Sequence, residues 1–499
     1  MGVVKRQGIK QSVVTYIGVA IGMVNMLFIY PAFLQEDQIG IISYVRETAA
    51  MLSLFVFLGS ADMVVRFFPR FRDERTGNHG FLFLLLGIVT VGCLFFTLAT
   101  LIFRERIFDF FGQKTEPLLY LQFAHLVLPV TVLIAYGNLF LLYASNFQRI
   151  VVPALINELL PKIGMPMLVI AFHFGKIPFG SILYGSVAIY AAMLVAQAWY
   201  IHHLGQFHLR PNFRLFTRKL VKEMANFSLF GFIGSLGSRF SSEFLNFFML
   251  GTVSTLTNTG IYTIAYSIAN VIDVPRKAIS RIVSPLLADK FKAEKLEDVE
   301  DFYKKTSINQ LIVGLWVFLS IWVCINQIFQ IMPNGETFIA GKYVVLLLGF
   351  ARIVDMMTGV NSEIISFSKY YRYNFYLILL MSVVHVTSSF YFIKSQGLVG
   401  VAIASLITMV VYNLAKLVVL MVKLNMQPFS MATLKVLGAA ATAYLGAAFL
   451  PSTSLSLIDI GIRCLVFTLI YGLLILYTKP SSDITQLIKK IAVKLKITN

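Results

Sequence analysis

The chain has 499 residues, of which 58% are hydrophobic and only 13% charged, and its mean hydropathy is +0.78. Ordinary soluble domains carry roughly 25% charged residues. A soluble globule of this size would therefore lack polar surface, and the same apolar excess excludes disorder. Lys and Arg number 42 against 24 Asp and Glu, a formal net charge of +18. In a soluble protein that balance would point to nucleic acid. In a chain this apolar it points instead to anionic membrane lipids and to orientation by the positive-inside rule, with no nucleic-acid partner.

Lys5, Arg6 and Lys10 precede the first long apolar run, with no small-residue cleavage site, so the first span reads as a retained anchor. A bilayer span needs about 20 apolar residues. Candidates lie near 11–33, 40–62, 81–103, 118–142, 151–174, 179–201, 226–250, 258–280, 307–331, 343–366, 373–393, 398–421, 433–450 and 459–478. They lack sustained alternation and so predict an all-α integral membrane protein of about 14 transmembrane helices. The longest connectors, near 202–225 and 281–306, are charged. If the spans alternate, 30 of the Lys and Arg residues fall on the side of the N-terminus and 6 on the opposite side. The other six, Arg46, Lys162, Arg239, Arg352, Lys416 and Arg463, fall inside spans. The bias places both termini in the cytoplasm.

The segment LQEDQIGIIS, from Leu34 to Ser43, has an echo in TLTNTGIYT, from Thr255 to Thr263. In each, a polar turn precedes Gly-Ile at the start of an even-numbered span, and the offset between Gly40 and Gly260 is 220 residues. Coincidence between two similar turns is one explanation. The other is an internal repeat of six helices, which divides the chain into a bundle at 1–202, a basic cytoplasmic linker at 203–225, a second bundle at 226–422, and two further spans with a basic tail at 423–499. Transporters built from repeats place their cargo where the repeats meet.

A mid-membrane Arg or Lys costs roughly 2.5–3.5 kcal/mol on insertion scales. Near span ends such a residue can snorkel, which relieves Lys416 and Arg463 in part. Arg239 and Arg352 lie too deep for that. Arg239 sits in GSLGSRFSSEF with Glu243 four residues on, and Arg352 precedes Asp355 by three, so each pair shares a helix face. For both pairs, a bridge buried between helices and a place on a hydrated cavity wall are open readings. Arg46 is a third cavity candidate. Glu47 is adjacent to it and about 100° round the helix, so the two are expected to face apart. Glu158 and Lys162 have the favourable i,i+4 order and read as a self-satisfied pair in a span that Pro161 and Pro166 kink. Asp273, Arg276, Lys277 and Arg281 gather at the cytoplasmic end of the eighth span, with Glu363 and Lys369 at the same depth in the tenth. There they suit lipid head groups, or a cargo arriving from the cytoplasm.

Other chemistry is weakly represented. Cys93, Cys324 and Cys464 are scattered through apolar runs, which argues against a disulfide framework or a zinc site. The stretch from Gly335 to Lys342 approaches a phosphate-binding loop but has the wrong spacing and ends in Tyr343. His202, His203 and His208 read as part of a solvated basic loop. No cofactor or metal is expected.

Fourteen spans, a compact basic N-terminus, QEDQIG opening the second span and TNTGIYTIAYSIAN opening the eighth together resemble the multidrug/oligosaccharidyl-lipid/polysaccharide (MOP) exporter superfamily, specifically its polysaccharide-transport branch with the O-antigen flippases. The resemblance implies two bundles that alternate access to a central cavity, a lipid-linked oligosaccharide as substrate, and a bacterial inner-membrane location. Guanidinium groups suit phosphate oxygens and keep their charge at every relevant pH. On this reading Arg46, Arg239 and Arg352 bind the anionic head, and Arg276, Lys277 and Arg281 receive it from the cytoplasm. Glu47, Glu243, Asp355 and Glu363 either pair with cations or bind a coupling H⁺ or Na⁺. Partners would include a polysaccharide polymerase and glycosyltransferases. Two other readings are a cation-coupled multidrug exporter of the same fold, which would want carboxylates without surplus arginine, and a membrane-embedded enzyme of envelope synthesis.

Overall fold

A computed structural model describes the chain except for residues 1, 58, 104–121, 148, 150, 213–215, 241–243, 293–295 and 485–499. Helix is the only regular structure among the described residues, and eleven helices there are long and apolar enough to cross a membrane. This follows from the sequence: in hydrocarbon every backbone N–H must find its partner within the segment. By contacts the chain divides into two compact units, residues 1–263 and 264–499.

The first unit opens with α1 (Gly2–Val24), which relaxes into a π turn over Asn25–Ile29. There follow α2 (Glu36–Phe57), α3 (Ser60–Phe71), α4 (Phe81–Ile102), α5 (Val127–Ser145), α6 (Val151–His173), α7 (Phe179–His203), α8 (Arg218–Phe240), α9 (Phe244–Val253) and α10 (Leu256–Asn270), the last of which runs on into the second unit. The second predicted span ends sooner than expected, and the short helix α3 begins after it, with Arg66, Arg70 and Pro69 among its apolar residues. A buried cluster ties α3 to α4 and α5. Phe71 stacks on Phe81 at 4.8 Å, and Phe68 meets Tyr143 edge-on.

The π turn begins at Asn25, which meets α6. Pro166 has no N–H, so the carbonyl of Lys162 one turn earlier loses its helical partner. Asn25 supplies one: its Nδ2 donates to the Lys162 oxygen at 2.7 Å, and the asparagine is buried. The predicted pair of Glu158 and Lys162 forms alongside, against Gly18 and Gly22 of α1.

Glycines also explain the sequence echo. A methyl group added to Gly40 would overlap the carbonyl of Leu256, and one added to Gly260 would overlap the carbonyl of Glu36. Each glycine thus seats the other segment's residue four positions earlier, so the first turns of α2 and α10 pack reciprocally. Within a bilayer, helices associate through close contact and not through exclusion of water. Only a residue without Cβ permits this approach.

The second unit comprises α11 (Val274–Lys292), reached through a 3₁₀ turn at Val271–Asp273, then α12 (Leu296–Val323), α13 (Ile325–Ile331), α14 (Lys342–Met357), α15 (Asn361–Phe367), α16 (Arg372–Leu424), α17 (Met431–Ala448) and α18 (Ser456–Thr478). At 53 residues, α16 would be about 80 Å long if straight, roughly twice a bilayer. It is broken at Gly397 (φ 53°, ψ −123°), a conformation that disfavours any other residue. The backbone of Gly400 then meets the carbonyl of Phe392, so the chain doubles back and accounts for the eleventh and twelfth predicted spans. Phe467 and Tyr471 of α18 are buried in one cluster with α12 and α17, and Tyr303, Ile364 and Leu420 in another.

Candidate functional site: a buried charge network in the second unit

Five elements of the second unit bring polar side chains together. The 3₁₀ turn ends at Asp273, which is 2% exposed. Arg276, one turn on in α11, places Nε 2.6 Å from Asp273 Oδ1 and Nη1 3.1 Å from Asp355 Oδ2 in α14. Lys277 Nζ lies 2.9 Å from Asp273 Oδ2 and is half exposed. One guanidinium therefore bridges two carboxylates of different elements, a use that suits its fork of donors.

The other face of Asp355 is organised by α16. Asn413 donates from Nδ2 to Asp355 Oδ1 at 3.2 Å. Its own Oδ1 accepts from Thr358 Oγ1 at 2.7 Å and from Asn361 Nδ2 at 3.0 Å. Lys416, one turn further along α16, is 1% exposed. Its Nζ donates to Ser362 Oγ at 3.1 Å, lies 3.7 Å from Asp355 Oδ1, and sits 4.0 Å from the centre of the Tyr412 ring. Arg352, half-buried in α14, is within electrostatic range of Asp273, and Glu363 is within range of Arg276 and Lys416. The neighbourhood thus holds four cations (Arg276, Lys277, Arg352 and Lys416) and three carboxylates (Asp273, Asp355 and Glu363).

Spacing puts Asp355 and Arg352 on one face of α14. The carboxylate is engaged by Arg276 and Asn413, with Lys416 alongside. Lys416 was expected to snorkel, yet it points into the protein interior. The available signal was VVYNLAKLVV, where Asn413 and Lys416 share a face amid apolar residues. Asp273 was grouped with Arg276 and Lys277 by position, and the three are in contact.

In the first unit, Arg46 and Glu47 do not face apart. Nε and Nη2 of Arg46 lie 2.8 and 2.6 Å from Glu47 Oε1. The long arginine side chain curls round the helix to its neighbour, which a comparison of Cβ directions does not capture. The Arg46 side chain is still 37% exposed, ten residues into α2, with Tyr30 and Tyr190 within electrostatic range. Arg239 belongs to α8 and Arg281 to α11, but their side chains lie outside the described residues, as does Glu243 altogether. Among the described residues no three His, Cys, Asp or Glu gather as metal ligands. The scattered cysteines are not all apart: Cys324 Sγ and Cys464 Sγ lie 3.5 Å from each other.

Residues 4–288 match the family described as polysaccharide biosynthesis protein. No curated protein matches the chain. Among solved structures it is similar to "Lipid II flippase MurJ, inward closed conformation", with a TM-score of 0.68 at 14% identity, covering 94% of this chain and 99% of that one. It is also similar to an inward-facing "multidrug resistance MATE family transporter of the MOP superfamily", with a TM-score of 0.64 at 14% identity over 82% of this chain and 94% of the other. A MATE structure in complex with MaL6 gives 0.55 at 16% identity over 85% and 96%. At such identities the likeness is one of fold, while the sequence match extends over more than half the chain. The chain is therefore a multi-pass membrane protein of the polysaccharide biosynthesis protein family, built on the fold of the MOP superfamily.

Proposed function

We propose that the protein is a flippase that carries a polyprenyl-(di)phosphate-linked oligosaccharide across the bacterial inner membrane by alternating access, for the synthesis of cell-surface polysaccharide. The observation that carries this reading is the network in the second unit, where four cations meet three carboxylates on elements that include two membrane-spanning helices. An anionic phosphate cannot cross hydrocarbon unpaired. A transporter for it needs positive groups that are costly to bury and therefore held in place by partners. Arg276 and Lys277 fit this need. Each is anchored on Asp273 while its side chain remains partly exposed, at 28% and 52%.

Arg352 of the same unit offers a further guanidinium group to the phosphate; for Arg46, Arg239 and Arg281 the sequence alone supports a like role. The polyprenyl tail needs no protein channel, since it can stay in the bilayer, and sugar hydroxyls suit Tyr30, Tyr190 and the amide side chains. Translocation breaks no bond, so no catalytic residue is assigned. The charge bias of the connectors puts both termini in the cytoplasm. Glycosyltransferases would supply the cargo there, and a polymerase would consume it on the other face. A drug exporter of this fold would want an excess of carboxylate, and the balance at this network runs the other way.

Deleting the gene tests the proposal. Lipid-linked oligosaccharide should accumulate on the cytoplasmic leaflet, and the intact gene should clear it. Normal transfer to the outer leaflet without the gene would overturn the reading. Restoration of transfer by an Arg276→Ala variant at wild-type level would remove the network from the transport path.

A further inference from the structure

Lys416 is a long, charged side chain on a membrane-spanning helix with almost no contact with solvent. A simple structural ion pair does not explain its setting. Asp355 already has two partners, Arg276 on Oδ2 at 3.1 Å and Asn413 on Oδ1 at 3.2 Å. Lys416 does not close on the carboxylate as a tight pair would, standing 3.7 Å away, and hydrogen-bonds Ser362 over the ring of Tyr412. A carboxylate oxygen, a hydroxyl oxygen and an aromatic face around one positive centre are what a small monovalent cation takes up when it sheds water. Ammonium and potassium ions are close in size, so a lysine head can occupy such a place.

We propose that Lys416 is a tethered counter-ion: its ammonium group fills a monovalent-cation site formed by Asp355, Ser362 and Tyr412 and kept in shape by Asn413. The second unit then carries permanently the positive charge that a dissolved sodium or potassium ion would otherwise supply. Asn413 is the positioning residue. It fixes Asp355 with its amide nitrogen, and Thr358 and Asn361 lock its carbonyl oxygen. Asp355 is consequently not free to take up an ion in the wild-type chain. The inference concerns the site and not the cargo, so it stands or falls apart from the proposed substrate.

The test is the apparent melting temperature of the full chain, purified in detergent, in choline chloride and in sodium, potassium, ammonium or methylammonium chloride at equal ionic strength. Wild type should melt at the same temperature in all five. Lys416→Ala should melt lower in choline, which is too large to enter. At least one small cation should raise it saturably by about 3 °C or more, as a ligand binding only the folded state does. The double variant Lys416→Ala with Asp355→Asn removes the carboxylate together with its ammonium. It should melt above Lys416→Ala in choline and respond to no cation. If Lys416→Ala does not fold in choline, recovery of folded protein from cells lysed and purified in ammonium chloride supports the proposal, as does folding of the double variant. The proposal is overturned if Lys416→Ala is indifferent to every small cation. A double variant no more stable than the single one, or a wild type stabilised selectively by sodium, would overturn it equally.

Discussion

Arg463 and Lys416 are both buried cations on apolar helices of the second unit, and they are held in opposite ways. Arg463 directs Nε to Asp459 Oδ2 at 3.1 Å, Nη1 to the carbonyls of Ala447 and Ala448 at 3.2 and 3.4 Å, and Nη2 to that of Leu450 at 2.8 Å. Ala447 and Ala448 end α17 and Leu450 follows it, where helical partners run out and the dipole is negative. The guanidinium thus serves as a C-terminal cap, with Nη1 and Nη2 committed to backbone. Lys416 meets one hydroxyl, one distant carboxylate and one ring. A cation committed to main chain holds a fold together. A cation among exchangeable side chains, joined through Asp355 to the partly exposed Arg276, is placed to take part in function.

Substitutions on the two sides should separate these roles. Arg463→Ala should be the most damaging to folding, at about 3–5 kcal/mol, because it leaves the buried Asp459 carboxylate without its cation. Chemical unfolding or the yield of folded protein reads this, and transport per folded molecule should hold. Arg276→Ala should destabilise less, by about 1.5–3 kcal/mol for charged hydrogen bonds. Its transport per folded molecule should fall at least about tenfold, a loss of 1.4 kcal/mol or more of cargo interaction, and Arg276→Lys should recover part of it. If the two variants lost transport only in proportion to folded protein, the contrast would dissolve.

An exposed pair supplies the lower bound. Arg70 on α3 holds Glu223 on α8 through two bonds at 2.8 and 3.1 Å, with both side chains in solvent. The Arg70 hydrogen bond keeps the Glu223 carboxyl below the usual glutamate range. Any stability from this lowered value is present above the ordinary pKa of a glutamate and is lost as the pH falls through the lowered one. Solvent screens such a pair. Arg70→Ala should therefore leave unfolding at neutral pH within measurement error, and a large shift there would show that α3 needs more than its apolar face.

The helices were legible in the sequence because the cost of placing a group in hydrocarbon is local and is paid residue by residue. The doubling back of α16 was legible for the same reason, as the apolar runs at 373–393 and 398–421 stop on either side of Gly397. The partners of the buried charges were not legible. Spacing along one helix puts Arg352 on the face of Asp355 but does not reveal Arg276 and Asn413, which reach it from α11 and α16, 79 and 58 residues away in the chain. The proximity of Cys324 and Cys464, 140 residues apart, was hidden likewise. Depth is a property of one segment, but pairing belongs to the way segments pack. The Gly40 and Gly260 echo lies between these cases: the likeness was visible in the letters, while the contact of the two segments with each other needed coordinates.

That contact has an evolutionary corollary. Because each glycine accommodates the main chain of the other segment, enlarging either one pries the same crossing apart, and no shrinkage at the second position can make room. Gly40 and Gly260 therefore cannot trade bulk as ordinary neighbours do. Among distant descendants of this chain, any drift away from glycine should come paired with a shift of both helix starts, and not with a compensating side chain nearby.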